Sequence, residues 1–129
     1  MAITLSEANR MVQAAVDKAH ELNIRLSVAV CDAGGHLMAF NRMEGANWVT
    51  AIVVQGKAVA AAGFGRPSGT LRADSPIIQA VIASQGGRML PAQGAVPVYR
   101  NGELIGAIGG SGGTAQQDEE CAQAGAAVL

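Results

Sequence analysis

Along this chain the apolar positions switch between a helical period and an alternating one. Ala8, Met11, Val12, Ala15, Val16 and Ala19 recur at helical spacing, with Glu7, Gln13, Asp17 and Glu21 on the opposite face. Ahead of them, Thr4-Leu5-Ser6-Glu7 has the form of a capping box, in which hydroxyl and carboxylate each satisfy an orphan amide. The pattern predicts a first helix ending near Leu22, with Asn23 as its C-cap. Residues 26–31 then alternate, Leu26, Val28 and Val30 on one face and the smaller Ser27, Ala29 and Cys31 on the other. That predicts a strand covered on both sides, one side leaving room for a close neighbour. Asp32-Ala33-Gly34-Gly35 predicts a hairpin turn, and residues 36–42 the returning strand.

From Trp48 to about Ala62 the chain is apolar almost all round, interrupted by Gln55 and Lys57, with Asn47 where a cap belongs. Such a helix is central or lies between subunits. Gly56 within it costs about 1 kcal/mol against Ala, so something approaches the helix closely there. Residues 63–69 form a loop, and Ser75-Pro76 opens a helix to Ser84, Ser75 as N-cap and Pro76 as its first residue. Residues 86–94 are irregular. Asn101-Gly102 between two apolar runs is the signature of a type I′ hairpin. Residues 109–113, Gly-Gly-Ser-Gly-Gly, read as a strand-to-helix turn, and Thr114 to Gln117 cap a last helix with Asp118 and Glu119 near its positive end. The order α-β-β-α-α-β-β-α predicts the α/β (α+β) class: one domain over residues 1–129, an antiparallel sheet with helices packed on it.

Composition and the chain's ends add four points. Half the residues are hydrophobic but only 3% are aromatic, and there are 17 glycines. At about 25 cal/mol per Å² an Ala-rich core stabilises weakly for its length, which predicts further burial in a homo-oligomer. A net charge of −1 without a basic run excludes nucleic acid or an anionic membrane as the main partner. The N-terminus shows no basic region followed by an apolar one, and the longest apolar stretch is too short to span a bilayer, so the expected location is the cytoplasm. Cys31 and Cys121 fall in core segments and are expected as buried free thiols.

Five stretches together carry a family resemblance: Val30-Cys31-Asp32-Ala33-Gly34-Gly35-His36-Leu37, Arg42-Met43-Glu44-Gly45-Ala46, Gly56-Lys57-Ala58, Gly102-Glu103-Leu104-Ile105-Gly106-Ala107-Ile108-Gly109, and Ser111-Gly112-Gly113-Thr114 with Gln117-Asp118. In order and spacing the chain resembles the GlcG/HbpS-like family from its first helix to its end, including the C-terminal domain of the cobalamin adenosyltransferase PduO. The resemblance implies a profilin-like fold, homo-oligomers and, for some members, haem as a cofactor.

Seven residues are candidates for a site. His20 sits at the boundary of the apolar face of the first helix, where a ring nitrogen can lean into a pocket as haem ligation requires, or where the helix dipole simply favours it. Cys31 is a soft donor on the small-residue face, inert if its surroundings are apolar. Asp32 ends the strand, where turn chemistry accounts for it equally well. Lys57 is the lone cation of an apolar helix. Buried, it needs an anion, either a ligand carboxylate or a partner such as Glu44 or Asp32; with one helix stripe in solvent it snorkels. Trp48 can wall a pocket or serve an interface. Gly112 and Gly113 place amides at a helix N-terminus, suited to an anionic ligand. No metal-ligand spacing links His20 and His36.

Three functions fit: a small-ligand or haem-binding accessory of a metabolic pathway, a small enzyme acting on an acidic or carbonyl metabolite, or an oligomeric partner-binding scaffold. No nucleophile–base–orienter set is legible, which places the binding module first.

Overall fold

The computed structural model describes residues 2–129. Its elements follow in the predicted order: α1 (Leu5–Glu21), β1 (Ser27–Asp32), β2 (Leu37–Arg42), α2 (Val49–Phe64), α3 (Pro76–Ser84), β3 (Ala95–Arg100), β4 (Glu103–Ser111) and α4 (Ala115–Ala126), with a 3-10 turn at Ser68–Thr70. Both predicted capping boxes form. Thr4 accepts from the Glu7 amide at 3.1 Å while Glu7 accepts from the Thr4 amide at 2.9 Å. Thr114 and Gln117 exchange the same pair of bonds at 3.1 and 3.0 Å. Asn47 does not cap α2: Trp48 occupies the cap position with no side-chain bond, and the Thr50 hydroxyl donates to the Asn47 carbonyl instead.

The four strands form one antiparallel sheet in the order β2-β1-β4-β3. Side-chain alternation on β1 decides which helix lies where. Val28 and Val30 face α1 and α4, in a core with Met11, Ala15, Ile108 and Cys121. Ala29 and Cys31 face α2, with Val54, Ala58, Ala61 and Ala107. The room left by the small face is filled by α2. Asn101 and Gly102 turn β3 into β4 with φ of 52° and 78°, the two positive values that a type I′ turn requires. Pro97 sits on β3, an outer strand, where its missing amide costs no ladder bond.

A second prediction is corrected. Residues 109–113 are not one turn: β4 runs on through Ser111, with Gly109 opposite Ala29, Gly110 opposite Val28 and Ser111 opposite Ser27. Only Gly112 and Gly113 turn. Gly109 and Gly110 are glycines because of crowding, since a Cβ would stand 3.1 Å from the Val54 carbonyl oxygen and 2.7 Å from that of Asp118.

The close approach expected at Gly56 is also present. The segment after α3 lies on α2 through two glycine notches two helical turns apart. A Cβ on Gly56 would meet Leu90 at 2.9 Å, and one on Gly63 would meet Met89 at 2.7 Å. The Leu90 amide donates to the Gly56 carbonyl at 3.0 Å. Met89 then joins Ala60, Leu71 and Ile78 in a small third core under α3. Gly56→Ala should therefore lower the melting temperature, although Ala is the better helix former by about 1 kcal/mol, because overpacking against Leu90 costs about 1–3 kcal/mol. Thermal unfolding followed by circular dichroism checks this, and a raised midpoint would count against the notch.

Candidate functional site

Lys57, the lone cation of α2, is 4% exposed. Its ammonium donates to the Asp118 carboxylate at 3.1 Å and to the Gly110 carbonyl at 3.0 Å. Neither Glu44 nor Asp32 is its partner. The other carboxylate oxygen of Asp118 accepts from the Gly113 amide at 2.8 Å. The expected anion site at Gly112-Gly113 is thus met by the chain's own carboxylate. Burial raises the Asp118 pKa above the ordinary aspartate value, against the opposing pull of the Gly113 amide and the Lys57 charge. A signal for Asp118 lay in α4: residues 118, 121, 122 and 125 recur at helical spacing and are all buried. An acid in that set turns inward, towards whatever cation α2 supplies.

Cys31 is 2% exposed and directs its thiol at the Ala58 carbonyl, 3.5 Å away. Burial pushes its pKa up to about 12 and that of Cys121 up to about 11, so both are the inert free thiols expected. Asp32 closes the hairpin turn, accepting from the amides of Gly34 and His36 at 2.9 Å each and pairing with the His36 ring. Burial raises its carboxyl, but these bonds outweigh it and hold the pKa below the ordinary aspartate value. Trp48 is 72% exposed and lies outside both the His20 cleft and the cleft over Cys31.

His20 does reach a cleft. Its volume is about 290 Å³, and its walls come from three places. α1 supplies Gln13, Val16 and His20 from one face, the α1–β1 link supplies Arg25, and the end of β2 with the loop beyond it supplies Asn41, Arg42, Met43 and Glu44. Arg42 is anchored by a 2.9 Å bond to the Ala46 carbonyl, and the Met43 sulfur accepts from the Leu26 amide at 3.3 Å. Arg25 was not singled out from the sequence, Arg42 and Met43 only as part of a family motif, and Glu44 in that motif and as a partner for Lys57. Their meeting with His20 depends on the β1–β2 hairpin, which returns the chain to the end of α1. A second cleft of about 280 Å³ lies on the opposite side of the sheet, over Ala29, Cys31 and Ala58.

The pattern of the family described as haem degrading protein HbpS-like matches residues 3–127. This chain belongs to that family. The HbpS-like chain is 32% identical over 125 residues to an uncharacterised 15.0 kDa protein of the dhaT-dhaS intergenic region of Citrobacter freundii, covering 94% of this chain and 87% of that one. It is 28% identical over 135 residues to the corrinoid adenosyltransferase PduO of Salmonella typhimurium, covering 100% of this chain but only 39% of PduO. The solved structure of a PduOC–haem complex superposes with a TM-score of 0.89 at 27% identity, over 100% of this chain and 96% of that one. The α+β architecture of the HbpS-like domain is therefore the one its sequence predicted. No helix among the described residues is long and apolar enough to cross a membrane.

Removing one partner of the buried ion pair leaves an uncompensated charge. Lys57→Met alone should cost about 3–5 kcal/mol of unfolding free energy. Lys57→Met combined with Asp118→Leu should cost much less than the sum of the two single changes. Denaturant unfolding of the four proteins measures the coupling, and strict additivity would mean that the pair does not hold the fold.

Proposed function

We propose that this HbpS-like domain binds haem in the cleft at the end of α1. The observation that carries the reading is the composition of that cleft: one histidine, two guanidinium groups and two apolar side chains on a single concave surface, beside one carboxylate, Glu44, and the amides of Gln13 and Asn41. These residues fit the group. His20 supplies the ring nitrogen that haem iron takes as an axial ligand. Arg25 and Arg42 supply the planar donors that carboxylates such as haem propionates accept, and Val16 and Met43 supply apolar contact for the ring. The other ligand candidates fit less well. Cys31 is a protonated, buried thiol, and Lys57 is bound to Asp118. The haem complex of PduOC, so close in backbone, supports the same reading.

Adding haemin to the purified protein should give a saturable Soret band. His20→Ala should weaken binding by more than about tenfold and change the band position, and Arg25→Gln should weaken it several-fold without moving the band. Both side chains are exposed, so neither change threatens the fold. An identical Soret titration for His20→Ala would remove that residue and this cleft from the reading.

A homo-oligomer forms the second part of the proposal. Trp48, Val49 and Ile52 stand 72%, 45% and 59% exposed on the first turns of α2, an apolar patch of the kind that marks an interface. Sedimentation equilibrium should give an oligomer for the native chain and a smaller species for Trp48→Glu combined with Ile52→Glu. A monomeric native chain would end it.

A further inference from the structure

The cleft on the α2 side of the sheet carries an arrangement that haem binding at α1 does not use. Its floor is Ala29, Cys31 and Ala58, its walls are Leu37 and Val59, and Gln55, His36 and Arg88 stand around it. Its volume is about 280 Å³. Two neighbouring clefts, of about 370 and 270 Å³, meet it, and all three share Arg88.

Arg88 is placed there by construction. Leu90 and Met89, the next two residues, seat in the notches at Gly56 and Gly63 and fix the segment against α2. The Arg88 guanidinium then spans the cleft, donating from Nη2 to the Gly35 carbonyl in the hairpin turn at 3.0 Å. Gly35 has φ of +80°, and a Cβ there would come 2.8 Å from the same nitrogen. A guanidinium carries five N–H donors, and Arg88 forms no ion pair among the described residues. Asp32, the acid of the adjoining turn, is already engaged by His36 and two amides. The Arg88 charge reaches the cleft floor, where it opposes the effect of burial on the Cys31 thiol.

We propose that this cleft binds a small organic monocarboxylate, its carboxylate on the free N–H groups of Arg88 and its short apolar body on Ala29, Ala58, Val59 and Leu37. The chemistry is non-covalent. Cys31 is part of the floor and remains a thiol, and the charge-assisted bond to Arg88 selects an anion over a neutral molecule of the same shape. The site lies across the sheet from His20, so it stands independently of haem binding.

Sodium butyrate and its neutral isostere butyramide test the proposal on the native protein by amide NMR. Butyrate should give saturable shifts at residues 29–37, 55–59 and 88, whereas butyramide should bind at least about tenfold more weakly. Arg88→Gln, which removes the charge, should bring butyrate down to the level of butyramide. His20→Ala should leave butyrate binding unchanged. Equal binding of butyrate and butyramide by the native protein overturns the proposal whatever the variant does. So does an absence of saturable shifts, or a butyrate response confined to the His20 cleft.

Discussion

The fold turns on one buried ion pair that joins the two faces of the sheet. Lys57 leaves α2 on one face, and Asp118 leaves α4, which packs with α1 on the other. Charges are expensive to bury, and this pair is supported by further bonds from Lys57 to Gly110 and from Gly113 to Asp118. The glycines nearby follow from it. A Cβ on Gly94 would stand 2.5 Å from the Lys57 ammonium, and one on Gly110 would stand 2.7 Å from the Asp118 carbonyl oxygen. The backbone is stripped of side chains where the lysine passes. A total domain stability of about 5–15 kcal/mol leaves little margin for losing such a link.

Local chemistry was legible in the sequence, and meetings between distant segments were not. Thr4, Ser75 and Thr114 announce their caps, and Asn101-Gly102 its turn, because each depends on residues only one to three positions away. The small face of β1 gave its burial by alternation. By contrast, residues 109–113 misled, since a glycine that turns and a glycine that yields space look alike in a sequence. Gly109 and Gly110 belong to the second kind, and only the positions of Val54 and Asp118 reveal it. Lys57 was suspect as a lone cation, but its partner lies 61 residues away. No local pattern reports such a pairing, although the inward-facing spacing of Asp118 on α4 hinted at half of it.

The same separation of near and far applies to the two clefts. His20 came from helix geometry and family resemblance, whereas Arg25 and Arg42 join it only once the first hairpin has folded. Arg88 lay in a stretch with no periodicity at all. Its position is set by Leu90 and Met89, and theirs by the two glycines of α2. The α1 cleft offers a soft-edged surface with a ring nitrogen, and the α2 cleft a narrow apolar slot under a cation, so one small sheet presents different chemistry on each side.

The notches at Gly56 and Gly63 also make the width of the slot adjustable from behind. Neither position faces the cleft floor, yet a methyl at Gly56 would press on Leu90, two residues from Arg88, and shift the guanidinium relative to the hairpin. Small changes in selectivity are therefore available to this domain through substitutions that never touch a ligand. A lineage of related sequences can retune the slot while every residue lining it stays the same.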